Sequence, residues 1–268
     1  VFTITKITVQ KKQNRYNIFL TDQAGNESYA FSVEEDLLIR EGLKKGLKLD
    51  QATIESLRDK DNLQKGYSQA LVYLGYRVRS VQEMRGYLVE KEYHPEQVTL
   101  IINRLISEKL LDDHAFAVAF VDTRKQTSTK GPQSIKRELT EKGVAQTIIN
   151  QALTRYTFEE QIAKVQKWLA KQSKRTSRQS HRQTQLKYKQ TLMQKGFELD
   201  VIEQALANAN DYNNEEEWNA IVYQGKKAFE RYSRKTEGFQ LVQKVKGFLY
   251  QKGFSLEQID MFVDQYLN

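Results

Sequence analysis

Four cations recur at one position of a repeat: Arg85, Lys136, Lys189 and Lys246 each stand seven residues ahead of a hinge at Glu92, Gly143, Gly196 or Gly253. Regularly spaced cations suit a partner that itself repeats, such as a phosphate backbone or a helical protein filament. A Lys-rich protein can also carry a solvated basic helix face with no partner, so the spacing alone leaves both readings open. A second basic feature is the segment 161–197, which holds no Asp or Glu. It carries Lys164, Lys167, Lys171, Lys174, Arg175, Arg178, Arg182, Lys187, Lys189 and Lys195. Trp168 and Tyr188 in the same segment are potential stacking groups for bases, but both fall on apolar stripes and are expected in the core.

No catalytic constellation accompanies these cations. His94, His114 and His181 are scattered, and neither HExxH nor GxSxG occurs. The stretch 42–48 has the wrong spacing for a phosphate loop and no Ser or Thr after Lys48. Adjacent carboxylates do not face each other on a helix, so Asp112 and Asp113 are read as N-terminal capping and dipole partners rather than metal ligands. The absence of cysteine excludes disulfides, thiolate zinc sites and cysteine nucleophiles. The expectation is a protein that binds, with no enzyme activity and no cofactor.

The elements that would position the cations are legible from the repeat. The stretches 88–93, 139–144, 192–197 and 249–254 each read Leu-x-x-Lys, hinge, apolar residue, with hinges 51, 53 and 57 residues apart. Glycine suits a left-handed helix end, and the lysine before it suits the negative end of the helix dipole. Six residues past the hinge stand Val98, Ile149, Ile202 and Ile259; ten past it stand Ile102, Leu153, Leu206 and Val263. That is one face of a second helix. Met84, Ile135, Tyr188 and Val245 join the repeated leucines on the buried stripe of the first. Tyr73, Phe116 with Phe120, Trp168, and Phe229 with Tyr232 mark a further helix ahead of each hairpin. Ser80, Gly131 and Thr184 align as hairpin-helix starts, while Leu241 at the matching position of the last copy implies an earlier start near Thr236.

Ahead of the repeats, Phe2 and Ile4, then Ile7 and Val9, alternate, and a second apolar run covers residues 16–20. A turn at 22–26 leads to Tyr29-Ala30-Phe31. Ser32 and Glu35 have capping-box spacing for a helix ending at Gly42, and Asp50 is placed to cap a short helix carrying Ile54 and Leu57. Fewer than four strands bury little alone, so this segment is expected to pack on the helices that follow.

A mean hydropathy of −0.68 and only two prolines fit thin helical modules. The expected fold class is mainly α: tandem three-helix modules in an elongated array behind a small β-rich segment. Expected boundaries are 1–61, 62–110, 111–156, 157–210 and 211–268. The net charge of +8 favours polyanionic partners or an acidic protein surface. The longest apolar run, 115–121, is too short to cross a membrane, and the start lacks the pattern of an export signal. A cytoplasmic monomer is expected. Residues around 173–180 lack an apolar stripe and are expected to form an exposed basic linker.

Leu110-Leu111-Asp112-Asp113, Phe116-Ala117, Phe120-Val121, Arg124, Lys130-Gly131-Pro132, Ile135-Lys136-Arg137, Leu139 and Lys142-Gly143 together resemble the RecX family of recombinase regulators. Ala70-Leu71, Tyr73-Leu74, Arg77, Arg79-Ser80 and Glu83-Met84 resemble the opening of that family's first module. The resemblance implies a three-helix repeat fold that binds RecA filaments on single-stranded DNA and inhibits their growth, ATP hydrolysis and strand exchange. It also places Arg77, Arg79, Arg124 and Lys130, ahead of the hairpins, at the contact surface. Glu92 departs from the glycine hinge, and four modules exceed the three of the family's short form, which points to the longer type. The competing readings are a protein that binds single- or double-stranded DNA directly through its basic face, and a helical scaffold for another acidic protein.

Overall fold

The computed structural model describes residues 1–11, 14–22, 25–172, 178–209 and 213–267. Among them are four strands and thirteen helices. The strands β1 (Phe2–Val9), β2 (Arg15–Thr21), β3 (Glu27–Glu34) and β4 (Lys48–Leu49) form an antiparallel sheet in the order β3-β2-β1-β4. Alternation places Ile4, Ile18, Leu20, Phe31 and Val33 inward, where they meet Leu37, Leu43, Ile54 and Leu57. Two details correct the sequence reading. The two-residue β4 has too short a pattern to see, and Ser32 lies inside β3, so α1 (Glu35–Arg40) starts after Glu34 without a side-chain cap.

Asp50 caps a helix by accepting the Thr53 N–H at 2.8 Å, but that helix is not short. α2 runs as one 26-residue element (Gln51–Tyr76). Its first half covers the sheet and its second half serves as the leading helix of module 1. Asp61, buried at its middle, accepts from Arg15 at 2.7 Å and from the Glu34 N–H at 2.9 Å. Both its carboxylate oxygens are thus satisfied, as burial of a charge requires.

Each module is a leading helix and a hairpin. α2 precedes α3 (Val81–Glu90) and α4 (Pro95–Ser107); α5 (Asp113–Thr127) precedes α6 (Pro132–Glu141) and α7 (Gln146–Leu153). α8 (Phe158–Gln172) precedes α9 (His181–Gln194) and α10 (Leu199–Ala209); α11 (Asn214–Tyr232) precedes α12 (Gly238–Gln251) and α13 (Leu256–Tyr266). The repeated stripe is buried: Met84, Leu88, Ile135, Leu139, Leu192, Val245 and Leu249 are fully inaccessible, as is Ile149. Leu153, Leu206 and Tyr188 are only half-buried, and Phe229 is exposed. Ala152 and Ala205, one residue earlier, take the inward positions on α7 and α10.

The hinge motif has a backbone meaning. The N–H groups of Tyr93, Phe197 and Phe254 reach back to the carbonyls of Leu88, Leu192 and Leu249 at 3.2, 3.1 and 3.3 Å, closing the helix end around a residue at positive φ. The hairpin helices of modules 3 and 4 are one turn longer than those of modules 1 and 2. This corrects the alignment at Thr184: the N-cap of α9 is Ser180, one turn earlier, and that of α12 is Glu237. By contact the chain divides into two compact units, residues 1–116 with 142–144, and residues 117–141 with 145–268.

Candidate binding cations and the joints that hold them

The hairpin helices are fixed at their starts, and the fixing groups recur. In the first unit the Ser80 hydroxyl accepts the Glu83 N–H at 3.1 Å and donates to the Lys142 carbonyl at 2.7 Å. One hydroxyl thus caps α3 and holds the carbonyl of Lys142, the residue before the Gly143 hinge. Ser180 repeats the arrangement in the second unit, accepting from Gln183 and donating to the Lys252 carbonyl at 2.5 Å. Only a hydroxyl does both; an Asp or Asn oxygen at the cap would accept but not donate. Between these two joints a backbone group replaces the hydroxyl, and the Gly131 N–H donates to the Lys195 carbonyl at 2.7 Å.

A carboxylate completes two of the joints. Asp113 accepts the Val81 N–H at 2.8 Å, and Glu217 accepts the His181 N–H at 2.7 Å. Burial pushes both carboxyls above their usual range. At the corresponding place in module 2 stands Pro132, which has no N–H to satisfy. Asp112 caps α5 through the His114 and Ala115 N–H groups, so the adjacent acids divide two tasks. Glu83 adds charge to the first joint, receiving Arg77 at 2.9 Å and Lys142 at 2.8 Å. Burial opposes its ionisation, but these cations and the Ser80 N–H outweigh it and hold the carboxyl down at about 2.

The expected site cations fall into groups by what already holds them. Arg77 is bound to Glu83; Arg124 and Lys130 converge on Glu138 at 2.7 and 2.5 Å. Arg79 stacks 4.0 Å above the Tyr73 ring, itself stacked on Tyr87. Lys164 lies against the Lys125 and Ser128 carbonyls near the end of α5, where burial lowers its pKa. Arg178 rests on the Tyr223 ring, and Arg182 lies beside Gly253. Lys167, Lys171 and Lys187 are exposed, and among the described residues Arg137 bonds the neutral Gln133 carbonyl and Ser134 hydroxyl. Lys174 and Arg175, with most of the expected linker, lie outside the described residues. Trp168 and Tyr188 form an edge-to-face pair at 5.4 Å, half-buried rather than presented as an open platform.

The four repeated cations do not behave alike. Lys189 pairs with Glu203 at 3.0 Å and Lys246 with Asp260 at 2.6 Å, each acid fourteen residues on and facing the cation across its own hairpin. The same step leads from Arg85 to Thr99 and from Lys136 to Asn150. Among the described residues, neither Arg85 nor Lys136 has an ion-pair partner. The acids stand in the sequence at a constant offset from their cations, a signal separate from the apolar spacing that marks the hairpins.

Family models match the chain in order along its length. The N-terminal domain of regulatory protein RecX matches residues 2–50, the first three-helix domain 67–105 and the second 112–153. The third matches twice, at 159–206 and 215–263, the two modules with lengthened hairpin helices. Regulatory protein RecX of Halalkalibacterium halodurans is 45% identical over 97% of this chain and 98% of its own length. That of Oceanobacillus iheyensis is 43% identical over 98% of both chains. A crystal structure of regulatory protein RecX, 36% identical, superposes with a TM-score of 0.67 over 77% of this chain and all of its own. Another, of RecX from Lactobacillus salivarius, gives 0.55 at 36% identity over 56% of this chain and 98% of its own. With its sheet and all four helical modules matched in sequence order, the chain belongs to the RecX family of regulatory proteins.

Proposed function

We propose that this chain regulates recombination by binding RecA filaments on single-stranded DNA and inhibiting filament growth, ATP hydrolysis and strand exchange. The observation that carries the reading is the end-to-end match to a family of regulatory proteins. The cations left without internal partners give that regulation a physical means, since an acidic or phosphate-bearing polymer would supply the missing counter-charge. In this reading the protein acts by binding, without a reaction of its own, as a monomer in the cytoplasm.

The test is RecA's single-stranded-DNA-dependent ATP hydrolysis, titrated with the full chain. The expected result is a dose-dependent fall in rate at protein concentrations below those that coat the DNA. Unchanged hydrolysis would remove the reading. Direct DNA binding is the second reading, favoured by exposed Lys167, Lys171 and Lys187 in a segment without acids. It predicts inhibition only at concentrations that saturate bare DNA, with a steep salt dependence.

A further inference from the structure

We propose that Arg85 and Lys136 are open halves of carboxylate ion pairs, completed by acidic side chains on the protein surface of the partner filament. The inference rests on the RecA-filament reading and says which cations of the chain make the contact. Its basis is internal. The same repeat position is filled in modules 3 and 4, where Lys189 and Lys246 each meet a carboxylate from the following helix, Glu203 or Asp260. The hairpin therefore shows what the position accepts and from which side it arrives. In modules 1 and 2 the cation is kept but the acid is not, because Thr99 and Asn150 stand in its place.

Local structure keeps those two places open. Thr99 and Asn150 are exposed, and their side chains are turned to their own helices, Thr99 Oγ1 donating to the Pro95 carbonyl and Asn150 Oδ1 accepting from Gln146. Arg85 and Lys136 are half-buried, and among the described residues neither meets a carboxylate, so each charge is left without the counter-ion that its equivalent has in modules 3 and 4. An incoming Asp or Glu would restore the pairing found elsewhere in the same chain. Phosphate is the rival anion, but the occupied copies hold carboxylates. Charge at such positions governs partner choice and encounter more than total affinity.

The experiment fills the gaps. The full chain carrying Thr99→Glu with Asn150→Glu should fold with an unchanged or higher melting temperature, since each new acid copies a pair present in modules 3 and 4. Its half-inhibiting concentration in the RecA hydrolysis assay should rise about tenfold or more, a loss in the range of removing close charge pairs. The neutral control, Thr99→Gln with Asn150→Gln, should inhibit as the unmodified chain does. Opening the other two positions with Glu203→Gln and Asp260→Asn should lower the half-inhibiting concentration severalfold. A doubly acidic variant that folds and inhibits normally would overturn the proposal. So would a parallel loss of affinity for bare single-stranded DNA, because the anion met would then be phosphate. Failure of the unmodified chain to inhibit would instead remove the functional reading beneath it.

Discussion

Glu92 and Gly143 end equivalent helices in the same left-handed conformation, at φ 63° and 74°, yet they have different neighbours. A Cβ on Gly143 would come within 2.5 Å of the Gln82 Cβ. On Gly196 it would lie 2.4 Å from the Ser134 backbone nitrogen, and on Gly253 3.0 Å from the Ser180 hydroxyl. In each case the obstacle belongs to the start of the preceding module's hairpin helix. Module 1 has no preceding module, and Glu92 is exposed. Glycine at the later hinges thus answers two demands, positive φ and close approach, whereas the first hinge meets only the φ demand. A side chain at positive φ costs roughly 1–2 kcal/mol, which a single site tolerates.

The sharpest test of this contrast is Gly196→Ala. Left-handed strain and collision with backbone together should cost about 2–4 kcal/mol, read as a fall in the unfolding midpoint. A loss below about 1 kcal/mol would mean that the joint yields freely. Next is the hydroxyl. Ser80→Ala should cost about 1–2 kcal/mol through the lost cap and the lost hydrogen bond to the Lys142 carbonyl. Ser80→Asp should not recover it fully, because a carboxylate caps α3 but faces that carbonyl without a proton; full recovery would make the joint bond irrelevant.

The charge at the same joint gives a pH test. The folded-state pKa of Glu83, about 2, lies below the ordinary value of 4.5. Its stabilising effect is therefore complete above about pH 4.5 and is lost as the pH falls toward 2. Glu83→Gln should flatten that part of the stability profile, and an unaltered acid profile would assign the dependence elsewhere. The smallest effect is expected at the first hinge. Glu92→Gly should leave stability unchanged or raise it by up to about 1 kcal/mol, the reverse of changes at the other hinges. A clear loss on calorimetry would show that Glu92 itself makes a needed contact.

What was legible in the sequence was whatever the chain encodes locally. Leu-x-x-Lys-Gly-x fixes a helix end through bonds among near neighbours, so the four hairpins and most of their inward positions could be read from spacing, whereas Ala152 and Ala205 stand inside where the spacing predicts Leu153 and Leu206. The start of α9 escaped because Ser180 and Thr184 are one turn apart and lie on the same helix face; packing, not the cap itself, chose between them. The continuity of α2 was hidden because its charged middle reads as a boundary until Arg15 is known to meet Asp61 from 46 residues away. The joints could not be seen for the same reason, since Ser80 and Lys142 are 62 residues apart. The pairing of Lys189 and Lys246 was within reach, because Glu203 and Asp260 keep a constant offset from them.

The continuity of α2 has a consequence for how the first unit comes apart. At 1.5 Å per residue its 26 residues form a rod of about 39 Å, with Ile54 and Leu57 in the sheet's core and Tyr67 and Ala70 in that of module 1. Neither core can lose its share of the helix without fraying the other's. Amide protons along both halves are therefore expected to exchange in one cooperative opening, and a cut in the sheet would be felt as faster exchange around Tyr67.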